Sequence, residues 1–203
     1  MRQRDWMWSM ALLLLVGSVP RLESVQAESQ TTYSAAEVPE GLKPAVDRAG
    51  KALQALQTTL LERLRRELDA GGPTAAVKVC RDEAQALTMQ VAKEQGIALG
   101  RTSHKVRNPL NAPRPWARPL VEAAAGQRAA AVEARVVDLG DRIGILRPIA
   151  TAEVCTHCHG AHDTVQRAIG RVLAEAYPTD QAVGFAPGDL RGWMWAEVPK
   201  DTR

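Results

Sequence analysis

The sequence predicts an α+β fold of about four helices and four or five strands, with no internal repeat. Three observations carry this. Apolar residues recur at steps of three and four from Val46 to Leu64, and again from Ala76 to Val91. Stretches of strand character lie late in the chain, around the glycines Gly140 and Gly188. Between these two regions, prolines at 109, 113 and 115 force a loop.

The elements follow in order. Arg2 and Arg4 precede an apolar run from Trp6 to Val19, and Val25-Gln26-Ala27 puts small residues where a leader peptidase cuts. Residues 1–27 therefore read as a signal peptide cleaved after Ala27, and the protein as exported to the periplasm. An uncleaved anchor is the alternative, but the run is short of the ~20 residues that span a bilayer. Residues 28–43 are polar and read as a flexible lead-in. The domain is then 44–203.

Val46, Ala49, Leu53, Leu56, Leu60 and Leu64 form one stripe of a long N-terminal helix, which Gly71-Gly72-Pro73 ends. A second helix is expected from about Pro73 to Gln95, with Ala76, Cys80, Ala84, Leu87 and Val91 on its buried face. Ile97, Leu99 and the stretch from Arg101 to Val106 suggest a short strand. A short helix is expected over Trp116 to Ala125. A hairpin follows, with strands near 131–138 and 142–149 around Leu139-Gly140-Asp141. Val165 to Ala176 reads as a helix capped by Asp163 or Thr164. Two short strands are expected around Pro187-Gly188-Asp189, where Trp193 and Trp195 alternate with Met194 as core residues.

Charge excludes one broad class of function. The net charge is +3, and removing residues 1–27 leaves +2 on 176 residues. No Lys/Arg-dense run with interleaved aromatics appears, so no nucleic-acid partner is expected. Nothing after residue 27 is long and apolar enough to span a bilayer. Three cysteines is an odd count, which calls for an explanation in an exported chain.

Two of the three lie in Cys155-Thr156-His157-Cys158-His159-Gly160. Cys-X-X-Cys-His is the attachment sequence of c-type haem. Two thiols one helical turn apart can add to the two vinyl groups, and the next residue is placed to ligate iron. Zinc is a second reading, since His162 completes a set with Cys155, Cys158 and His159, although the two histidines are closer than zinc sites usually place them. A Cys155–Cys158 disulfide is a third. A haem iron also needs a sixth ligand or an open face. Met89, Met194, His104, His157, His162 and Cys80 are the candidates. Taken alone, Cys80 reads as a small core hydrophobe.

Four segments carry a resemblance: "AAVKVCRDEA", "GRTSHKVRNPLNAPRPW", "LRPIATAEVCTHCHG" and "YPTDQAVGFAPGDLRGWMWAEVP". Together, across roughly residues 44–200, they resemble a family of exported c-type haem domains, some of them attached to sensor kinases. The resemblance implies a PAS-like fold: an antiparallel sheet flanked by helices, with one covalently attached haem in a pocket on one side. It implies Cys155 and Cys158 as the haem anchors, His159 as one axial ligand and Cys80 as the other. Two positions depart from the family pattern. His104 stands where an apolar residue is usual, and is a minor alternative ligand. Ala117 stands where an acid is common.

His/Cys⁻ ligation implies a low-potential iron. The expected function is a redox or small-gas sensor in which the Cys80 bond changes with oxidation state or yields to a diatomic gas. The alternative is a periplasmic electron carrier. No enzymatic activity and no catalytic residue is expected, because no acid–base pair stands out. Arg101, Lys105 and Arg107 are candidate partners of the haem propionates, with an ordinary solvated basic loop as the alternative. A redox or signalling protein partner is expected, and the apolar stripe at 46–64 leaves room for a homodimer.

Overall fold

In the computed structural model the described residues are 30–200. The signal-peptide expectation at 1–27 falls outside them. The stripe beginning at Val46 does form a long helix, α1 (Lys43–Asp82). It is interrupted at Gly71-Gly72-Pro73 as expected, so α1 is two helical pieces meeting at a kink. Gly72 sits at φ 67° and ψ −167°, a backbone conformation that only glycine adopts without strain, and the helix resumes beyond it with Pro73 in its first turn. The expected second helix is itself divided. A break at Glu83 (φ −115°) separates α1 from α2 (Ala84–Gln95). Cys80 therefore rides on a short helical segment with a break at each end.

The sheet is five-stranded and antiparallel, in the order β1-β3-β4-β5-β2. Its strands are β1 (Thr32–Ser34), β2 (Ala98–Thr102), β3 (Arg135–Asp138), β4 (Arg142–Ala150) and β5 (Leu190–Pro199). The hairpin forms as expected, with Val136 opposite Ile145. The lead-in is more ordered than its polar composition suggests. Thr32–Ser34 pairs with β3 at the sheet edge, where one face needs no apolar residue. β2 ends at Thr102, so residues 103–108 form a loop rather than more strand. The two strands expected around Pro187-Gly188-Asp189 are one. Residues 181–187 make no strand; their backbone groups bond to the Cys-X-X-Cys-His segment instead.

Alternation along β5 divides the core into layers. Met194, Ala196 and Val198 face α1, packing with Ala49, Leu53 and Leu56 and with Ile143 and Ile145 of β4. Trp193 and Trp195 face the other way, toward α3 (Arg118–Ala123), with Ala117, Val121 and Leu146. The upper half of the α1 stripe thus packs on the chain's own sheet. Two short helices follow β4: α4 (Thr156–His159) and α5 (His162–Ala176). α5 begins after Ala161 with no side-chain cap, and Asp163 lies in its first turn rather than at the cap. Val165, Ile169, Leu173 and Tyr177 pack on Val77 and on Cys158, which ties α5 to the Cys80 segment. Among the described residues no helix is long and apolar enough to cross a membrane.

Candidate functional site

Leu60, Leu61, Leu64 and Leu68 of α1 line a cleft of ≈ 350 Å³. α4 with the segment before it, the ends of β2, β4 and β5, and the loop 103–108 line the rest of it. Cys80, Cys155, Cys158 and His159 all line this cleft, although Cys80 is 75 residues from Cys155 in the chain. Much of the remaining wall is apolar, including Ile149, Val154 and Met194. A volume in this range suits a small-molecule or prosthetic-group site.

His159 is fixed by its backbone surroundings. Its Nδ1 lies 2.7 Å from the carbonyl oxygen of Ala182. Donating that hydrogen leaves Nε2 with a bare lone pair, the tautomer a metal ligand requires. Burial, together with Arg191 and Arg107, holds the His159 pKa well below the usual imidazole value, so the ring is neutral. The Ala182 carbonyl is in turn held by loop 180–185. Gly184 N–H donates to Gly160 O at 2.7 Å and Phe185 N–H to His159 O at 2.9 Å.

Arg107 clips that loop to α4. Its Nε and Nη2 bond Asp180, and Nη2 also donates to the carbonyls of Cys158 (2.6 Å) and Ala182 (3.3 Å). Asp180 Oδ1 accepts from Ala182 N–H at 2.8 Å. Arg107 is therefore committed to the protein, which leaves it poorly suited to the expected role as a propionate partner. Lys105 lines the cleft but donates to Val183 O at 3.1 Å and lies over the Phe185 ring.

Arg101 lines the cleft, as does Arg191, which the sequence reading passed over. Arg191 opens the "RGWMW" stretch, where alternation drew attention to the tryptophans and nothing marked the arginine. Burial, with Arg107 and Arg101 nearby, pushes the Arg191 pKa down to about 10. Burial also lowers Arg101. Burial raises the Cys158 thiol to about 11 and the Tyr177 phenol to about 12.

His104 does not join the site. It is not among the residues lining the cleft, and it packs against Phe185 at 5.8 Å between centroids. Phe185 also meets the His159 ring edge-on at 6.5 Å. The minor alternative ligand thus lies off the cleft lining. Met194 borders the cleft from the core, while Met89 is exposed. The zinc reading lacks its fourth group, because His162 is exposed beside Asp163 at 3.4 Å. No cluster of three or more His, Cys, Asp or Glu side chains suited to a metal ion occurs among the described residues. The three cysteines are free thiols.

An α+β domain in which cysteine and histidine from distant segments meet on one apolar cleft belongs to the class of prosthetic-group or ligand-binding domains. The chain belongs to the Tll0287-like family, whose model matches residues 21–199. Among solved structures it is similar to the crystal structure of the cyanobacterial heme-protein Tll0287, at 25% identity and a TM-score of 0.54, covering 82% of this chain and 99% of that one. No curated protein matches.

Proposed function

We propose that the domain holds a single c-type haem in the cleft and acts as an exported redox or small-gas sensor. The observation that carries this is the convergence of Cys80 with Cys155, Cys158 and His159 on one apolar cleft. The residues fit the group. Cys155 and Cys158 are free thiols one turn apart on the cleft wall, His159 has the ligating tautomer, and the buried Arg191 Nε has no partner. When bound, haem would supply an iron that changes oxidation state, with a thiolate ligand favouring the ferric form.

In this reading Cys155 and Cys158 would anchor the group, and His159 Nε2 and the Cys80 thiolate would be the ligands of its iron. Loop 180–185 fixes His159, while the breaks at Gly72 and Glu83 set the Cys80 segment off from the rest of α1 and from α2. A change in what Cys80 binds is then passed to that segment and to α5, which packs on Val77. The antiparallel sheet with helices on both faces supports the PAS-like reading. Residues 1–27 support a periplasmic location. The physiological partner would be a redox or signalling protein, and no enzymatic activity is proposed.

Exposure of Val154 beside Cys155 favours the alternative, an electron-transfer cytochrome with one edge of its site at the surface. A pyridine haemochrome assay of the purified protein, with optical and EPR spectra of wild type and Cys80→Ala, tests the assignment. A low-spin thiolate signature lost in the variant is expected, and an unchanged spectrum would refute Cys80 ligation. A ferrous protein that ignores CO and NO, with sulfur retained in both oxidation states, would favour the carrier.

A further inference from the structure

Two arginines withdrawn from solvent on the cleft have no acid to pair with among the described residues. Arg101 lies on β2 and Arg191 on the neighbouring strand β5. The Arg101 side chain forms no hydrogen bond or ion pair with any described residue. Arg191 donates only from Nη1, to Ser103 Oγ at 3.1 Å. Its Nε is buried without a partner, and its guanidinium lies over the Phe185 ring at 5.1 Å. Of the other cations lining the cleft, Arg107 is paired with Asp180, Arg63 with Glu67 and Glu83, Lys105 donates to the Val183 carbonyl, and Arg65 is exposed to solvent.

A buried guanidinium without a counter-charge is costly, so two of them beside one cleft imply a dianionic ligand. Planar guanidinium groups suit carboxylates above other anions of this charge. We propose that Arg101 and Arg191 form a dicarboxylate clamp that receives the two propionates of the porphyrin. This rests on the haem reading above and moves the propionate role away from Arg107. The clamp would make the cleft selective for a porphyrin with free acids over the same macrocycle with its acids esterified. Tyr177, which lines the cleft and is kept neutral by burial, adds no competing charge.

The test uses the full chain with Cys155→Ala and Cys158→Ala, so that pigment is held without thioether bonds. Haemin and haemin dimethyl ester are titrated against this protein and against versions that add Arg101→Gln, Arg191→Gln or Arg191→Lys. The background protein should bind haemin more tightly than the ester. Each glutamine variant should lose about tenfold or more for haemin and little for the ester, and the lysine should restore part of the loss. Equal loss for both pigments, or glutamine variants that bind haemin as tightly as the background, would overturn the clamp while leaving the haem reading intact. Failure to bind either pigment, together with a wild-type protein lacking thioether haem, would overturn both.

Discussion

Removing the Arg107 side chain should be among the most damaging single changes near the cleft. Its Nε and Nη2 bond Asp180 at 3.0 and 2.9 Å, and the side chains are 10% and 12% exposed. Truncation would leave a buried carboxylate and the Cys158 and Ala182 carbonyls without their donor. Breaking a buried pair from one side costs roughly 3–5 kcal/mol. Asp180 keeps its bond from Ala182 N–H, which places Arg107→Ala near the lower end, at about 3 kcal/mol. For a domain of this size each kcal/mol moves Tm by about 2–4 °C, so a drop of about 6–12 °C is expected. Thermal unfolding followed by circular dichroism measures it. Arg107→Lys keeps the charge but not the fork, and should recover only part of the loss. Arg107→Met with Asp180→Leu removes both charges and should be milder than Arg107→Ala. A Tm within about 2 °C of wild type for Arg107→Ala would refute the assignment of Arg107 as the clip between α4 and loop 180–185.

Gly144→Ala would place a Cβ 2.9 Å from the Trp116 ring, at a position locked into the β3–β4–β5 ladder, and should cost about 1–3 kcal/mol with altered tryptophan fluorescence. Burial works to raise the Glu197 pKa, but hydrogen bonds from Arg114 (2.9 Å) and Trp116 Nε1 (2.8 Å) outweigh it and hold it below its usual value. Its stabilisation is therefore present above the unfolded value of 4.5 and is lost as pH falls through the lower folded value. Denaturation at stepped pH should show wild type losing more stability than Glu197→Gln between about pH 5 and 3. Arg63 bonds both Glu67 and Glu83, fastening the break after Cys80 to the first half of α1. Arg63→Ala should speed amide exchange across residues 73–83, and unchanged exchange there would show that the ion pairs do not hold the segment.

Periodicity and turn chemistry made most of the fold readable. The α1 stripe, the hairpin at Gly140 and α5 are each decided by local pattern. What local pattern missed was decided by distant contacts. Thr32–Ser34 becomes a strand because β3 offers it an edge. Residues 181–187 look like a strand but serve as the rest on which His159 leans. The break at Glu83 has no glycine or proline to announce it. At the site, Cys155, Cys158 and His159 are named by their spacing, whereas Cys80 needed the family resemblance. Arg191 and the commitment of Arg107 to Asp180 needed coordinates, because a counter-charge is supplied by the fold and not by a neighbour in the chain.

The sheet order also bears on how the chain assembles. β2 pairs only with β5, so residues 98–102 wait for residues 193–197 before their ladder can close. The cleft depends on that late closure, since α1 packs on β5 and Arg191 lies on that strand. Long loops must be closed before such distant pairings are rewarded, which makes them slow steps. Until β5 arrives, α1 lacks the strand it packs on, and the cleft that Cys80 shares with Cys155 and Cys158 lacks part of its lining.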